Sequence, residues 1–221
     1  PIGGTTTNAN PPFIIDETAI SQCQRWHWLF FLALKKYFQA LKKYFRALKI
    51  LVWPFLIRNN CSTMPLSLYI HVPFCASRCS YCDFYSTTAP ATIRQRYVRA
   101  LCEELLMRSA DFPNAALRTI YFGGGTPSQL QLDELATILQ TIRRAYTLED
   151  EIEVTLEANP DDVYPGWGRQ LLALGINRVS LGVQSLDDAY LRLINRRHSA
   201  AQAQEVVRQL HSESVPHISI D

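Results

Sequence analysis

From Met64 onward, short apolar runs alternate with longer stretches whose apolar residues recur every three or four positions. Leu66 to Val72, Thr119 to Phe122, Ile152 to Leu156, Arg178 to Gly182 and Ile218 to Asp221 read as strands. Between them Ile93 to Arg108 reads as a helix, with Tyr97, Leu101 and Leu105 at four-residue spacing. Leu130 to Tyr146, Trp167 to Leu174, Asp187 to Ile194 and Ala200 to His211 also read as helices. Strand and helix keep alternating, which implies βα units and a parallel sheet.

Residues 1 to 63 follow another pattern. Ala33-Leu-Lys-Lys-Tyr-Phe-Gln39 is repeated as Ala40-Leu-Lys-Lys-Tyr-Phe-Arg46 and begins again at Ala47. Across this repeat, residues 33–49, the positions Leu34, Phe38, Leu41, Phe45 and Leu48 alternate at spacings of four and three. As a helix they form an apolar stripe with Lys35, Lys36, Lys42, Lys43, Arg46 and Lys49 beside it. Such a basic amphipathic helix can lie on an anionic membrane surface. A duplicated stretch translated by accident, or a solvated helix, produces the same pattern. The first methionine is Met64, directly before the first strand, and is a candidate start. Residues 1–63 are therefore set apart as an extension from an over-extended frame or a fusion, and residues 64–221 as the core domain.

Composition narrows little. With 48% hydrophobic and 19% charged residues, 221 residues are ordinary for a soluble chain and enough for one core. A net charge of +2 argues for no partner by itself and gives no footing for nucleic acid. Neither Trp26 to Leu34 nor Ile50 to Ile57 reaches the roughly 20 apolar residues of a spanning helix. Six cysteines without a cleavable signal pattern ahead of them fit a reducing cytoplasm.

Three of those cysteines carry the chemistry. Cys75, Cys79 and Cys82 fall within eight residues, in C-x-x-x-C-x-x-C spacing, entered from a strand and left through Phe84 and Tyr85. Zinc usually takes four ligands from paired knuckles, and no second C-x-x-C or H-x-x-x-H pair follows. A cubane of four irons and four sulfides suits three thiolates, each holding one iron while the fourth stays open. Three unconnected cysteines, or a redox pair, are the bland alternative.

Two further patterns point toward a ligand. Tyr121-Phe-Gly123-Gly124-Gly125-Thr126-Pro127 lies between a strand and a helix, where three glycines remove every Cβ and allow close approach to the backbone. It lacks the spacing and the Lys-Ser/Thr of a phosphate loop. Glu157, Gln184 and Asp221 stand at or just past the carboxyl ends of successive strands, and Arg196 on the stretch after the fourth. That rim is where parallel α/β folds bind ligands, although charged residues at element ends are also simply solvated. His71 lies two residues after Tyr69, on the same face of a regular strand, and is either a proton-transfer group or a packed core histidine.

The cysteine triplet with its aromatic neighbour resembles the radical S-adenosylmethionine (SAM) superfamily. That resemblance implies a partial (β/α)6 barrel, of which about five strands are present, preceded here by an unrelated helical extension. It also implies a 4Fe-4S cluster on Cys75, Cys79 and Cys82, whose open iron takes the amino and carboxylate groups of SAM and whose reduction releases a 5′-deoxyadenosyl radical. By the same resemblance Tyr69, Gly124, Gly125, Thr126, Glu157, Gln184, Arg196 and Asp221 contact SAM, with the glycines at its amino group. By charge, Arg196 suits the carboxylate and the acids suit ribose hydroxyls. His71 is carried as the candidate catalytic group.

The set His71-Val-Pro-Phe-Cys, Cys82-Asp-Phe84, Phe122-Gly-Gly-Gly-Thr-Pro-Ser, Glu157-Ala-Asn-Pro, Gly182-Val-Gln-Ser and Asp221 is similar to one branch, the oxygen-independent coproporphyrinogen III oxidase-like group. The oxidases in it carry a fourth cysteine two residues after the third, where this chain has Phe84. The heme chaperones of the HemW type share the cysteine-aspartate-phenylalanine form and hand heme to acceptor proteins. The resemblance therefore implies a heme chaperone, with heme as cargo, acceptor proteins and an electron donor as partners, and a cytoplasmic place, membrane-associated if residues 33–49 act as an amphipathic helix. An oxidase, or a radical SAM enzyme for another substrate, stays open. The last barrel unit is missing, so the open strand edge is expected to make residues 64–221 alone poorly soluble.

Overall fold

The computed structural model describes residues 66–113 and 115–221; the extension 1–63 and its repeat lie outside them. Five parallel strands among the described residues are β1 (Leu66–Val72), β2 (Ala116–Gly124), β3 (Thr147–Ala158), β4 (Arg178–Leu181) and β5 (His217–Ile220). They pair strictly in sequence order, each strand lying beside the one before it. Helices α1 (Ala91–Ser109), α2 (Leu132–Ala145), α3 (Trp167–Leu174), α4 (Asp188–Leu193) and α5 (Ala200–Ser212) fill the crossovers. A sheet whose order never reverses, joined by crossovers of one hand, keeps its helices on one face. This is the open α/β half-barrel expected from the alternation.

Alternation along β1 shows the two faces. Leu68, Ile70 and Val72 are buried, whereas Tyr69 and His71 are half-buried on the opposite face, the one that carries the site. The buried side meets Leu101 and Leu105 of α1 and Leu135, Ile138, Leu139 and Ile142 of α2, all in one apolar core. Burying each such side chain contributes roughly 1.5–3 kcal/mol.

Several bounds differ from the sequence reading for identifiable reasons. β3 begins at Thr147 rather than Ile152, passing through Glu149, Asp150 and Glu151. Thr147 and Leu148 pair with Ala116 and Leu117, and a register shift before Thr119 absorbs the acidic segment, whose residues stay at least partly exposed. α2 begins at Leu132, after a short 3-10 turn over Pro127–Gln129, because Glu134 Oε2 accepts the Gln131 N–H at 2.9 Å. Asp221 lies one residue beyond β5, its N–H donating to Leu181 O at 3.0 Å.

Candidate functional site

The carboxyl ends of all five strands open onto one cavity of about 340 Å³. Cys75, Cys79 and Cys82 line it from the loop after β1, Gly124, Gly125 and Thr126 from the end of β2, and Glu157 from the end of β3. Gln184 follows β4, Asp221 follows β5, and Arg196 enters from the connection between α4 and α5. Tyr69 reaches it from within β1. Of the residues singled out from the sequence, His71 is the one that does not line the cavity.

The cysteine loop is held at its base by backbone bonds. Cys75 N–H donates to Thr87 O at 3.0 Å, and Thr87 N–H to Pro73 O at 2.7 Å. All three cysteines are free and half-buried, and Thr126 Oγ1 donates to Cys75 Sγ at 3.4 Å. Among the described residues no three Cys, His, Asp or Glu side chains converge tightly enough to grip a single ion. A cubane makes no such demand, since each thiolate takes a different iron. Three thiolates at this spacing are a donor set that suits such a cluster.

The glycines are explained by the protein's own packing as much as by a ligand. A Cβ on Gly124 would stand 2.5 Å from His71 Nδ1, and its φ of 115° lies where side chains are strained. One on Gly125 would stand 2.9 Å from both Val72 O and Phe74 O. The strand-like approach to the cysteine loop is thus laid directly on the glycine turn. Gly125 N–H donates to Val72 O at 2.8 Å and Thr126 N–H to Phe74 O at 2.7 Å, while Gly124 N–H donates to Glu157 Oε2 at 3.0 Å. With its N–H groups spent, the turn offers a ligand carbonyl oxygens, which suit an ammonium group. His71 packs on Gly124, and its Nε2–H donates to Tyr85 O at 3.1 Å, tying the far end of the cysteine loop to β1.

Both Glu157 oxygens already have partners, since Tyr121 O–H donates to Oε1 at 2.7 Å. Burial pushes the Glu157 carboxyl above its ordinary value, against the pull of the Tyr121 and Gly124 hydrogen bonds. Tyr69 stacks on Tyr121, ring centres 5.9 Å apart, and burial together with Glu157 raises its phenol as well. Asp221 is less committed: Oδ2 accepts from Ser180 Oγ at 3.2 Å.

Arg196 lines the cavity together with Arg78 and Arg197. Nη1 donates to Asn159 Oδ1 and Nη2 to Tyr81 Oη, both at 2.7 Å, and the guanidinium lies 5.8 Å from the Tyr81 ring centre. Nε is buried without a partner, and among the described residues Arg196 forms no ion pair. A half-buried guanidinium with only neutral partners is suited to an incoming carboxylate. The sequence reading did not single out Tyr81, Asn159 or Arg78. Tyr81 sits inside the cysteine triplet and Asn159 directly after a strand, and both positions were readable signals. Asn195 Nδ2 donating to Arg78 O at 2.9 Å spans 117 residues and had no local signature.

The fold and site define a parallel α/β half-barrel with a thiol-lined cavity at its carboxyl rim. The sequence matches the Radical SAM superfamily over residues 69–221. This chain belongs to that superfamily. It is 38% identical over 161 residues to the heme chaperone HemW of Mycobacterium tuberculosis, covering 71% of this chain and 41% of the relative. HemW of Haemophilus influenzae is 38% identical over 162 residues, covering 71% and 42%. The chain thus spans about two fifths of the length of these curated relatives. Among solved structures, the coproporphyrinogen III oxidase HemN of Escherichia coli has the same fold, with a TM-score of 0.69, 24% identity, and 83% of this chain and 44% of that chain covered. Among the described residues no helix is long and apolar enough to cross a membrane.

Proposed function

We propose that this protein is a heme chaperone that holds a 4Fe-4S cluster on Cys75, Cys79 and Cys82, binds SAM in the adjoining cavity, and delivers heme to acceptor proteins. The observation that carries the reading is the meeting of three free thiols and Arg196, a cation without an ion-pair partner among the described residues, in one cavity. Three thiolates leave one iron of a cubane for an outside ligand. Arg196 is the residue for the carboxylate of SAM, the Gly124–Gly125 carbonyls for its ammonium, and Asp221 for a ribose hydroxyl. Glu157, engaged by Tyr121 and Gly124, holds the turn in place. When bound and reduced, the cluster supplies single electrons from an outside donor.

Two facts favour heme delivery over porphyrinogen oxidation: Phe84, 64% exposed at the cavity edge, stands where the oxidases carry a fourth thiol, and the chain shares 38% identity with HemW proteins. The heme site, the acceptors and the electron donor belong to the whole protein in this reading.

The test is a heme titration of the full-length protein, reconstituted without oxygen, followed at the Soret band. Saturable stoichiometric binding that persists without the cluster supports the chaperone. Absence of binding above that of an unrelated protein, with decarboxylation of coproporphyrinogen III in the presence of SAM and a reductant, overturns it in favour of the oxidase.

A further inference from the structure

His198 is 3% exposed, and its imidazole reaches no ligand-facing surface. It lies in the connection between α4 and α5, where consecutive residues hold the cysteine loop and the segment after β3. Asn195 binds the cysteine loop at Arg78 O, Arg196 binds Tyr81 and Asn159, and Arg197 pairs with Asp161 and Asp162. His198 reaches the exit of β4, where its Nε2 lies 3.1 Å from Val183 O. A carbonyl oxygen only accepts, so the proton sits on Nε2.

The bond falls at a particular point of the chain. Val183 precedes Gln184, a non-glycine residue held at φ 68°. Such a conformation persists only where its surroundings enforce it. Gln184 N–H donates to Asp221 O at 2.7 Å, fixing one side of the turn, and the Val183 carbonyl entering it is held twice, by the Ser185 N–H at 2.8 Å from within the turn and by His198 from outside it. Both Gln184 and Asp221 line the cavity. The second ring nitrogen, Nδ1, is buried without a hydrogen-bond partner and stands 3.9 Å from Asp161 Oδ1. Burial lowers the basicity of the ring, Arg196 adds to this, and Val183 O, Asp161 and Asp188 act the other way. The neutral ring leaves an unshared pair at Nδ1, a cost retained in the core for the sake of the bond at Nε2.

We propose that His198 is a positioning residue: by pinning the Val183 carbonyl it holds Gln184 in its left-handed turn, and with it the Gln184–Asp221 wall of the SAM cavity. The inference rests on the SAM reading of the site and goes beyond it, since His198 touches no ligand.

The experiment compares His198→Gln, His198→Asn and His198→Leu in the anaerobically reconstituted full chain, measuring SAM dissociation constants together with bound iron and sulfide. Glutamine places an amide nitrogen near the Nε2 position, whereas asparagine places it near Nδ1. Loss of one buried hydrogen bond, transmitted to the wall, is expected to weaken SAM about tenfold or more in the Asn and Leu variants. The Gln variant is expected to stay within about threefold of the parent, a difference of under about 1 kcal/mol. Iron and sulfide content should be equal in all, because the cysteine loop is held by other residues.

Equal weakening by Gln and Asn overturns the positioning role and leaves His198 a core residue, and so does unchanged affinity in all three. If the Leu variant fails to fold, the Gln and Asn pair decides by the same criterion. A parent that assembles the cluster yet binds no SAM overturns the reading of the site itself, and this inference with it.

Discussion

A methyl group is the smallest change that tests the site. Gly124→Ala would press a Cβ into the His71 ring at 2.5 Å and strain a φ of 115°. We expect it to cost about 2–4 kcal/mol, read as a lower urea midpoint. Adding His71→Ala should recover the part due to the clash and leave the backbone strain, so a double-mutant cycle separates the two. An unchanged midpoint for the single variant would refute the described packing. At the thiols the expectation concerns occupancy. Alanine at Cys75, Cys79 or Cys82 should abolish a stable four-iron cluster, whereas Cys102→Ala, within α1 and half-buried against the core, should not. Iron and sulfide analysis after reconstitution distinguishes them, and a full cubane in any triplet variant would refute the ligand assignment.

At the scale of elements, α3 depends on one buried side chain from another helix's end. Glu213, just after α5 and 6% exposed, accepts N–H bonds from Gly166 and Gly168 at 2.7 Å and from Arg169 at 3.3 Å. These are the unpaired donors of the first turn of α3, and a carboxylate there also meets the positive end of the helix dipole. Burial alone would raise the Glu213 carboxyl, but the bonds from Gly166, Gln209, Gly168 and Arg169 outweigh it and hold it below its ordinary value. A depressed acid contributes stability that is present above the unfolded pKa, about 4.3, and lost as pH falls through the folded value. Glu213→Ala should therefore destabilise by about 2 kcal/mol at pH 7. Thermal melts should show the gap to the parent narrowing below about pH 4.

No sequence pattern announced this cap, because Glu213 lies 44 to 47 residues from the N–H groups of α3 that it binds. The alternation of strand and helix was legible because one buried face imposes a period on each element. So was the gathering of the candidate residues at strand ends, since a parallel sheet brings those ends to one rim whatever the loops do. The hidden parts were long-range side-chain bonds such as Asn195 to Arg78, and the first half of β3, whose Glu149-Asp150-Glu151 looks like a loop until the register shift with β2 is known.

For the whole molecule, the sheet's far side is the feature with the largest consequence. β5 is bonded to β4, and among the described residues no strand pairs with its other side, where Ile220 is 58% exposed. Unpaired backbone beside an apolar side chain recruits other strands. Residues 64–221 taken alone are expected to self-associate at micromolar concentration, and Ile220→Lys in that fragment should raise the monomer fraction in sedimentation velocity. A monomeric parent would count against an exposed edge.

Arg196 bridges Tyr81, within the cysteine loop, and Asn159, at the end of β3. A single side chain that braces both parts of the cavity makes their ligands thermodynamically linked, and such linkage acts equally in both directions. In the proposed reading, each factor by which an assembled cluster tightens SAM is a factor by which SAM tightens the cluster. Loss of the cluster would thus also loosen SAM, and abundant SAM would favour the loaded cluster.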